Sequence, residues 1–158
     1  GYSLKINSPK LTTILNSYNI SGDKRYSVPY MKAPSKDLES CFLRGLFDGD
    51  GCIYYNYVSG SFKNIRIEIT TGSKNMVEGL KALYEELGLT YSLDERSSAV
   101  GNTYYVIYVR SFKDIETLGK WIYSNPFKFN LYSKYVKSVK FLKLVKMNSE
   151  IDNIVGTD

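Results

Sequence analysis

Two aspartates spaced by one glycine close an apolar stretch of the chain: Phe42 to Phe47 is followed by Asp48, Gly49, Asp50 and Gly51. The stretch is patterned as a helix, so both carboxylates fall near its C-terminal end. A negative charge there opposes the helix dipole at a cost of about a few tenths of a kcal/mol. Glycines at 49 and 51 let the backbone turn tightly and let another segment approach. A carboxylate at such a tip suits Mg²⁺, a hard ion that takes oxygen donors and keeps several waters. By itself the tetrapeptide is also good surface-turn chemistry, and that plainer reading stands beside the metal-binding one. A calcium-binding EF-hand fits worse, because oxygen ligands are missing at the later loop positions and no Glu closes the loop.

The chain has 158 residues and no histidine. That excludes a Ser-His-Asp triad, a Cys-His pair and His-ligated zinc. Catalysis would rest on carboxylates, lysines, tyrosines or a metal ion. Cys41 and Cys52 have no second pair, so neither a zinc site nor a disulfide scaffold is expected, and a reduced intracellular compartment, cytoplasm or organelle, fits best. No apolar run is long enough to span a bilayer, and Gly1 to Lys10 lacks a signal-peptide pattern.

Basic residues exceed acidic ones by 21 to 16, and the distribution is uneven. Between Phe127 and Ser149 stand Lys128, Lys134, Lys137, Lys140, Lys143 and Lys146 with no acid among them. Such a surface attracts polyanions, although a charge run is also what a solvated helix face looks like. The 15 tyrosines serve both a core and a wet interface.

The elements that must carry these groups follow from periodicity. Tyr2–Asn7 alternates as a short strand, and Ser8-Pro9 opens a helix through about Tyr18. Residues 21–34 read as a linker. Ser35 caps the next helix, expected to end near Phe47. Cys52–Val58 and Ile65–Thr71 read as paired strands, the second with Ile65, Ile67 and Ile69 on one face and Arg66, Glu68 and Thr70 on the other. Lys74–Leu87 is an amphipathic helix stopped by Gly88. Tyr91–Asp94 and Thr103–Arg110 form a second strand pair, Ser111 caps a helix through Tyr123, and Tyr132–Met147 is a lysine-rich helix. A weak internal repeat aligns Tyr2–Lys10 with Tyr105–Lys113, each leading into a helix.

Leu43 to Gly51 resembles the motif of the LAGLIDADG homing endonucleases, with Leu43, Gly45, Leu46, Asp48, Asp50 and Gly51 matching. The strand–strand–helix–strand–strand–helix order after it resembles the same family over about residues 35–147. The resemblance implies an α+β lobe: a four-stranded antiparallel saddle sheet backed by helices. It implies that Asp50 binds Mg²⁺ beside the scissile phosphate, with Lys134 as the candidate for a lysine near the nucleophile. That lysine's own position falls on Tyr132, two residues earlier, and the polar position after the second strand holds Gly72-Ser73.

By the same resemblance, Leu43, Gly45, Leu46 and Asp48 belong to a seam with a second such lobe, Asp48 there chiefly supporting the helix end. Arg44, where the family motif has alanine, would turn away from that seam or modify it. Tyr54, Asn56, Arg66, Glu68, Thr70, Tyr104 and Tyr108 would face double-stranded DNA. The expected organisation is an N-terminal strand-helix and linker over 1–34, the lobe over 35–147 and a frayed tail over 148–158. The first segment reads either as an extension of a homodimerising lobe or, with slight preference, as the end of a preceding lobe. The expected function is site-specific, Mg²⁺-dependent hydrolysis of duplex DNA in intron or intein mobility. A non-cleaving DNA or RNA binder such as an intron maturase is the alternative, and a domain docking an acidic partner is a third.

Overall fold

The computed structural model describes residues 6–18, 20, 26–58, 61–123 and 143. Most of the expected first strand, the lysine-rich helix with Lys134 (Lys143 excepted) and the tail lie outside these residues. The elements are α1 (Pro9–Ser17), α2 (Lys36–Asp50), β1 (Gly51–Val58), β2 (Ser61–Thr71), α3 (Lys74–Glu86), β3 (Tyr91–Ser97), β4 (Thr103–Val109) and α4 (Phe112–Tyr123). Serine begins each helix. The side chains of Ser8, Ser35 and Ser73 accept from the backbone N–H of Leu11, Leu38 and Met76, and Ser111 accepts from Asp114 N–H at 3.0 Å.

The central helix departs from expectation at its end. It continues past Phe47 for three more residues and delivers the chain straight into β1 at Gly51. Its last turn is held by side chains: Phe47 meets the Tyr123 ring edge-on at 6.4 Å, and the Tyr123 hydroxyl donates to Asp48 Oδ1 at 3.2 Å. These contacts outweigh the cost of about 1 kcal/mol that a glycine at position 49 imposes on a helix. Gly51 is there for close approach. A Cβ at that position would overlap the Phe47 ring and stand 2.6 Å from the Phe47 carbonyl oxygen.

The sheet has the order β1-β2-β4-β3, with every neighbouring pair antiparallel. Alternation sorts its side chains: Ile53, Ile67, Ile69, Ile107 and Val109 join Leu43 and Phe47 of α2, Leu80 and Tyr84 of α3, and Ile115, Leu118 and Ile122 of α4 in one core. Between Tyr54↔Arg66 and Asn56↔Lys63 the ladder slips by one residue on β2. Asn64 takes up that bulge at φ 54°, a left-handed conformation that asparagine tolerates. Gly88, at φ 67°, ends α3 in the same region, as its place after Leu87 predicts.

The segment expected as a linker is, over its described part, a strap across the helices. Val28 and Tyr30 pack on the core. Ser73 Oγ donates to the Val28 carbonyl at 2.6 Å, and the Tyr30 hydroxyl donates to buried Glu39 at 2.8 Å. Burial, then the bond to Glu39, pushes the Tyr30 hydroxyl well above the usual phenol range. Gly79 makes room, because a Cβ there would overlap the Tyr30 side chain. Lys32 then bridges to Glu86 at 3.0 Å. An extended, proline-containing segment has no periodicity to reveal such packing. Among the described residues no helix is long and apolar enough to cross a membrane.

Candidate functional site

Alpha2 sorts the motif residues by face. Leu43 is 0% exposed and sits in the core, which corrects its expected place in a seam: no surface of it remains for another lobe to cover. Arg44 is equally enclosed. Its Nε donates to the Ile122 carbonyl at 3.0 Å and its guanidinium lies 5.7 Å from the Tyr123 ring centre, so it turns onto α4 and away from the open side. Asp48, grouped with the seam but also expected to support the helix end, is turned toward α4 by its bond to Tyr123, in keeping with the second role. Gly45 and Gly49 lie on the opposite side, where a Cβ at either would meet nothing within 4 Å. Leu38 is exposed, and Phe42 and Leu46 are half-buried.

Asp50 lies two residues beyond Asp48, about 200° around the helix, and is exposed. It borders a cleft of about 470 Å³ shared with Leu46 of α2, Thr70, Thr71 and Gly72 at the end of β2, Tyr104 of β4, and Tyr26 of the strap. Ser73, one of the two residues at the expected peripheral position, is fully buried and occupied with capping α3 and holding the strap. Among the described residues no group of three or more acids, cysteines or histidines converges on one point.

The face of the sheet away from the core carries the other expected residues. Tyr54 and Asn56 are exposed, and Arg66, Glu68, Thr70 and Tyr104 are partly so. Tyr108 lies on that face, paired with Glu68, but is only 5% exposed. Beta4 is an inner strand, and two guanidiniums cover the Tyr108 ring: Arg110 at 4.8 Å and Arg66 at 5.5 Å from its centre. Parity places this tyrosine correctly, yet as a floor rather than a reaching side chain.

Three charged residues on or beside this face escaped the sequence reading. Arg110 follows the last residue of β4 and donates to the Tyr108 hydroxyl at 3.1 Å. Arg96 donates to Asp94 at 2.6 Å, and that bond holds the Asp94 carboxyl below the usual range. Strand β3 runs three residues past its expected end, so the alternation that would have exposed Asp94 and Arg96 was cut short. Cys52 is exposed opposite Glu68.

A family model described as a LAGLIDADG-like domain matches residues 37–122. Among solved structures, the homing endonuclease I-TnaI is similar at 18% identity and a TM-score of 0.51, covering 77% of this chain and 78% of its own. The I-SmaMI LAGLIDADG homing endonuclease bound to cleaved DNA is similar at 17% identity and a TM-score of 0.55, covering 94% of this chain but only 48% of its own. The group I intron-encoded homing endonuclease I-CeuI complexed with DNA is similar at 17% identity and a TM-score of 0.51, covering 89% and 65%. No curated protein matches by sequence.

Proposed function

From a chain that belongs to the LAGLIDADG family, matched over residues 37–122 of its 158, we propose a site-specific endonuclease that lays the open face of its sheet on duplex DNA and hydrolyses a phosphodiester at Asp50. The observation that carries this reading is the contrast within the motif. Asp48 is taken up by Tyr123, whereas Asp50 is exposed at a cleft and joined without a loop to the first strand of the open face.

Asp50 fits one position in the shell of a divalent cation such as Mg²⁺, with water and a DNA phosphate oxygen as natural further ligands. When bound, such an ion would supply Lewis-acid stabilisation of charge on the phosphate and a more acidic water. The residues of this chain bind and orient. Side chains on β1, β2 and β4 face the major groove, where all four base pairs differ in their donors and acceptors. The helix end then sets how far the carboxylate stands from the bases being read.

One carboxylate is half of a paired arrangement. We assign the other half to a second LAGLIDADG lobe packed on the open side of α2, where a Cβ at Gly45 or Gly49 would meet nothing within 4 Å. The chain spans about half of I-SmaMI. Asp50→Asn is expected to lower plasmid cleavage in Mg²⁺ at least about a thousandfold, as loss of an essential charge-stabilising group does. Duplex binding in Ca²⁺ is expected to stay within about threefold, because an exposed side chain has little part in packing. Undiminished cleavage by the variant would remove Asp50 from the reaction. Duplex binding with no cleavage by the unaltered chain, even with a second lobe supplied, would favour a maturase-like binder.

A further inference from the structure

The charged residues gathered around Tyr108 are not equivalent. Arg66 is held on several sides. Its guanidinium lies 5.1 Å from the Tyr54 ring centre and 5.5 Å from that of Tyr108, and its Nε stands 2.7 Å from Glu68 Oε2. Both atoms of that ion pair are shut off from solvent, and its angle departs from a straight hydrogen bond. Arginine presents a planar fork of five donors. Nε stands beside Glu68 as an ion pair without an aligned hydrogen bond, and among the described residues no acceptor takes the two terminal nitrogens. That end-on pair matches the O6 and N7 acceptors of guanine in the major groove. The side chain is 26% exposed, so the guanidinium is held by these neighbours and still reaches the surface.

Arg110 also lies over the Tyr108 ring, at 4.8 Å, but differs in exposure and in its ion pairing. It is exposed, and among the described residues no carboxylate lies within ion-pair distance of it. Its one side-chain bond is to the neutral Tyr108 hydroxyl. It shares with Arg66, Tyr54, Asn64 and Ile65 a recess of about 230 Å³ beside the β2 bulge. An exposed cation at the rim of such a recess, with Asp94 acting on it only from beyond ion-pair distance, suits a phosphate, whose recognition needs charge rather than fixed geometry.

We propose that the open face divides DNA recognition between these two arginines: Arg66, clamped by Glu68, Tyr54 and Tyr108, reads one guanine, and Arg110 binds the adjacent backbone phosphate. The assignment rests on the DNA-binding reading above. It makes Glu68 a positioning residue rather than a base contact, and makes Tyr108 the floor on which both arginines rest. Glu68 beside the fork also disfavours a phosphate there, since a carboxylate repels the DNA backbone.

Selection of bound sites from a random duplex library in EDTA, which prevents metal-dependent cleavage, tests the division. The unaltered protein should return one invariant guanine that Arg66→Lys relaxes about tenfold or more, because lysine has no bidentate fork. Glu68→Gln should relax the same position while leaving affinity for unselected duplex within about threefold. Arg110→Gln should weaken all duplexes alike and reduce the slope of log affinity against log salt by about one. Circular dichroism of each variant guards against loss of fold, and Arg66→Lys keeps the charge should Glu68→Gln unfold. An unchanged base preference in Arg66→Lys overturns the proposal while leaving DNA binding intact. So does a position-specific effect of Arg110→Gln. No duplex binding by the unaltered chain overturns this proposal and the proposed function together.

Discussion

The two sides of α2 are built to opposite specifications. Toward α4 and the sheet, Leu43, Arg44 and Phe47 are buried, and each polar group there has a partner: Arg44 on the Ile122 carbonyl, Ser40 on the Trp121 carbonyl at 2.8 Å, Asp48 under the Tyr123 hydroxyl. On the other side Leu38 is exposed, Phe42 and Leu46 are only half covered, and Gly45 and Gly49 leave bare backbone. A helix that merely completed a core would carry polar groups on its outward stripe. This one carries apolar and minimal side chains there, the composition of a face intended for contact. One stripe stabilises the lobe, and the other is the face to which we assign the second lobe.

Substitutions can break that contrast, and the largest effect is expected on the enclosed side. Leu43→Ala should lower unfolding free energy by about 2–5 kcal/mol in a denaturant titration, because it opens a cavity in a closely packed core. A near-neutral result would mean that the site collapses and that Leu43 is not the core residue its burial makes it. Tyr123→Phe removes the donor to Asp48 while keeping the ring against Phe47, and should cost about 0.5–1.5 kcal/mol. It should also fray the turn that carries Asp50, measurable as faster amide exchange at residues 48–50.

Gly45→Ala probes the other side, and its sign reverses. Removing a helical glycine where nothing stands near should stabilise the lobe by about 0.5–1 kcal/mol. Sedimentation should at the same time show weaker association with a second lobe. Stabilisation without any loss of association would place the partner elsewhere.

The smallest effect lies where the strap reaches the first turn of α2. Lys32 donates to Glu86, with Lys36 also near, and this holds the Glu86 carboxyl below its usual range. A depressed folded pKa contributes stability above the unfolded value and loses it as pH falls through the folded one. Glu86→Gln should therefore flatten the acid limb of the stability curve just below pH 4.5, the ordinary value for this group, and leave neutral pH nearly unchanged, since exposed pairs contribute little.

What the sequence made legible divides along physical lines. Period-two alternation in β2 placed Arg66, Glu68 and Thr70 on the open face because that strand has one buried side to pattern it. Serine caps and Gly88 marked helix ends through local backbone chemistry, which needs no tertiary information. The strap was not legible, since Val28 and Tyr30 reach the core from an irregular segment whose only mark is aperiodic. Leu43 was misplaced because a motif match says which residues recur and not which way each one points. Arg110 closed the expected strand with the parity of Tyr108, but alternation along one strand says nothing of neighbours across the sheet, and only the folded sheet reveals that it shares a ring with Arg66.

The loopless junction at Gly51 has a mechanical consequence. Between the last helical residue, Asp50, and the first strand residue there is a single peptide bond and no slack. The crowding of Gly51 against Phe47 leaves no other side chain room at that hinge point. On the function proposed above, distance along DNA from bases read to bond attacked is therefore gauged by covalent geometry, like a jaw rigidly fixed to its ruler. Side chains on the strands can change, and with them the text that is read, while the gauge stays constant. One residue inserted between Asp50 and Gly51 would do the reverse: it would invert every side chain of β1 between groove and core, and uncouple the gauge from the text in a single step.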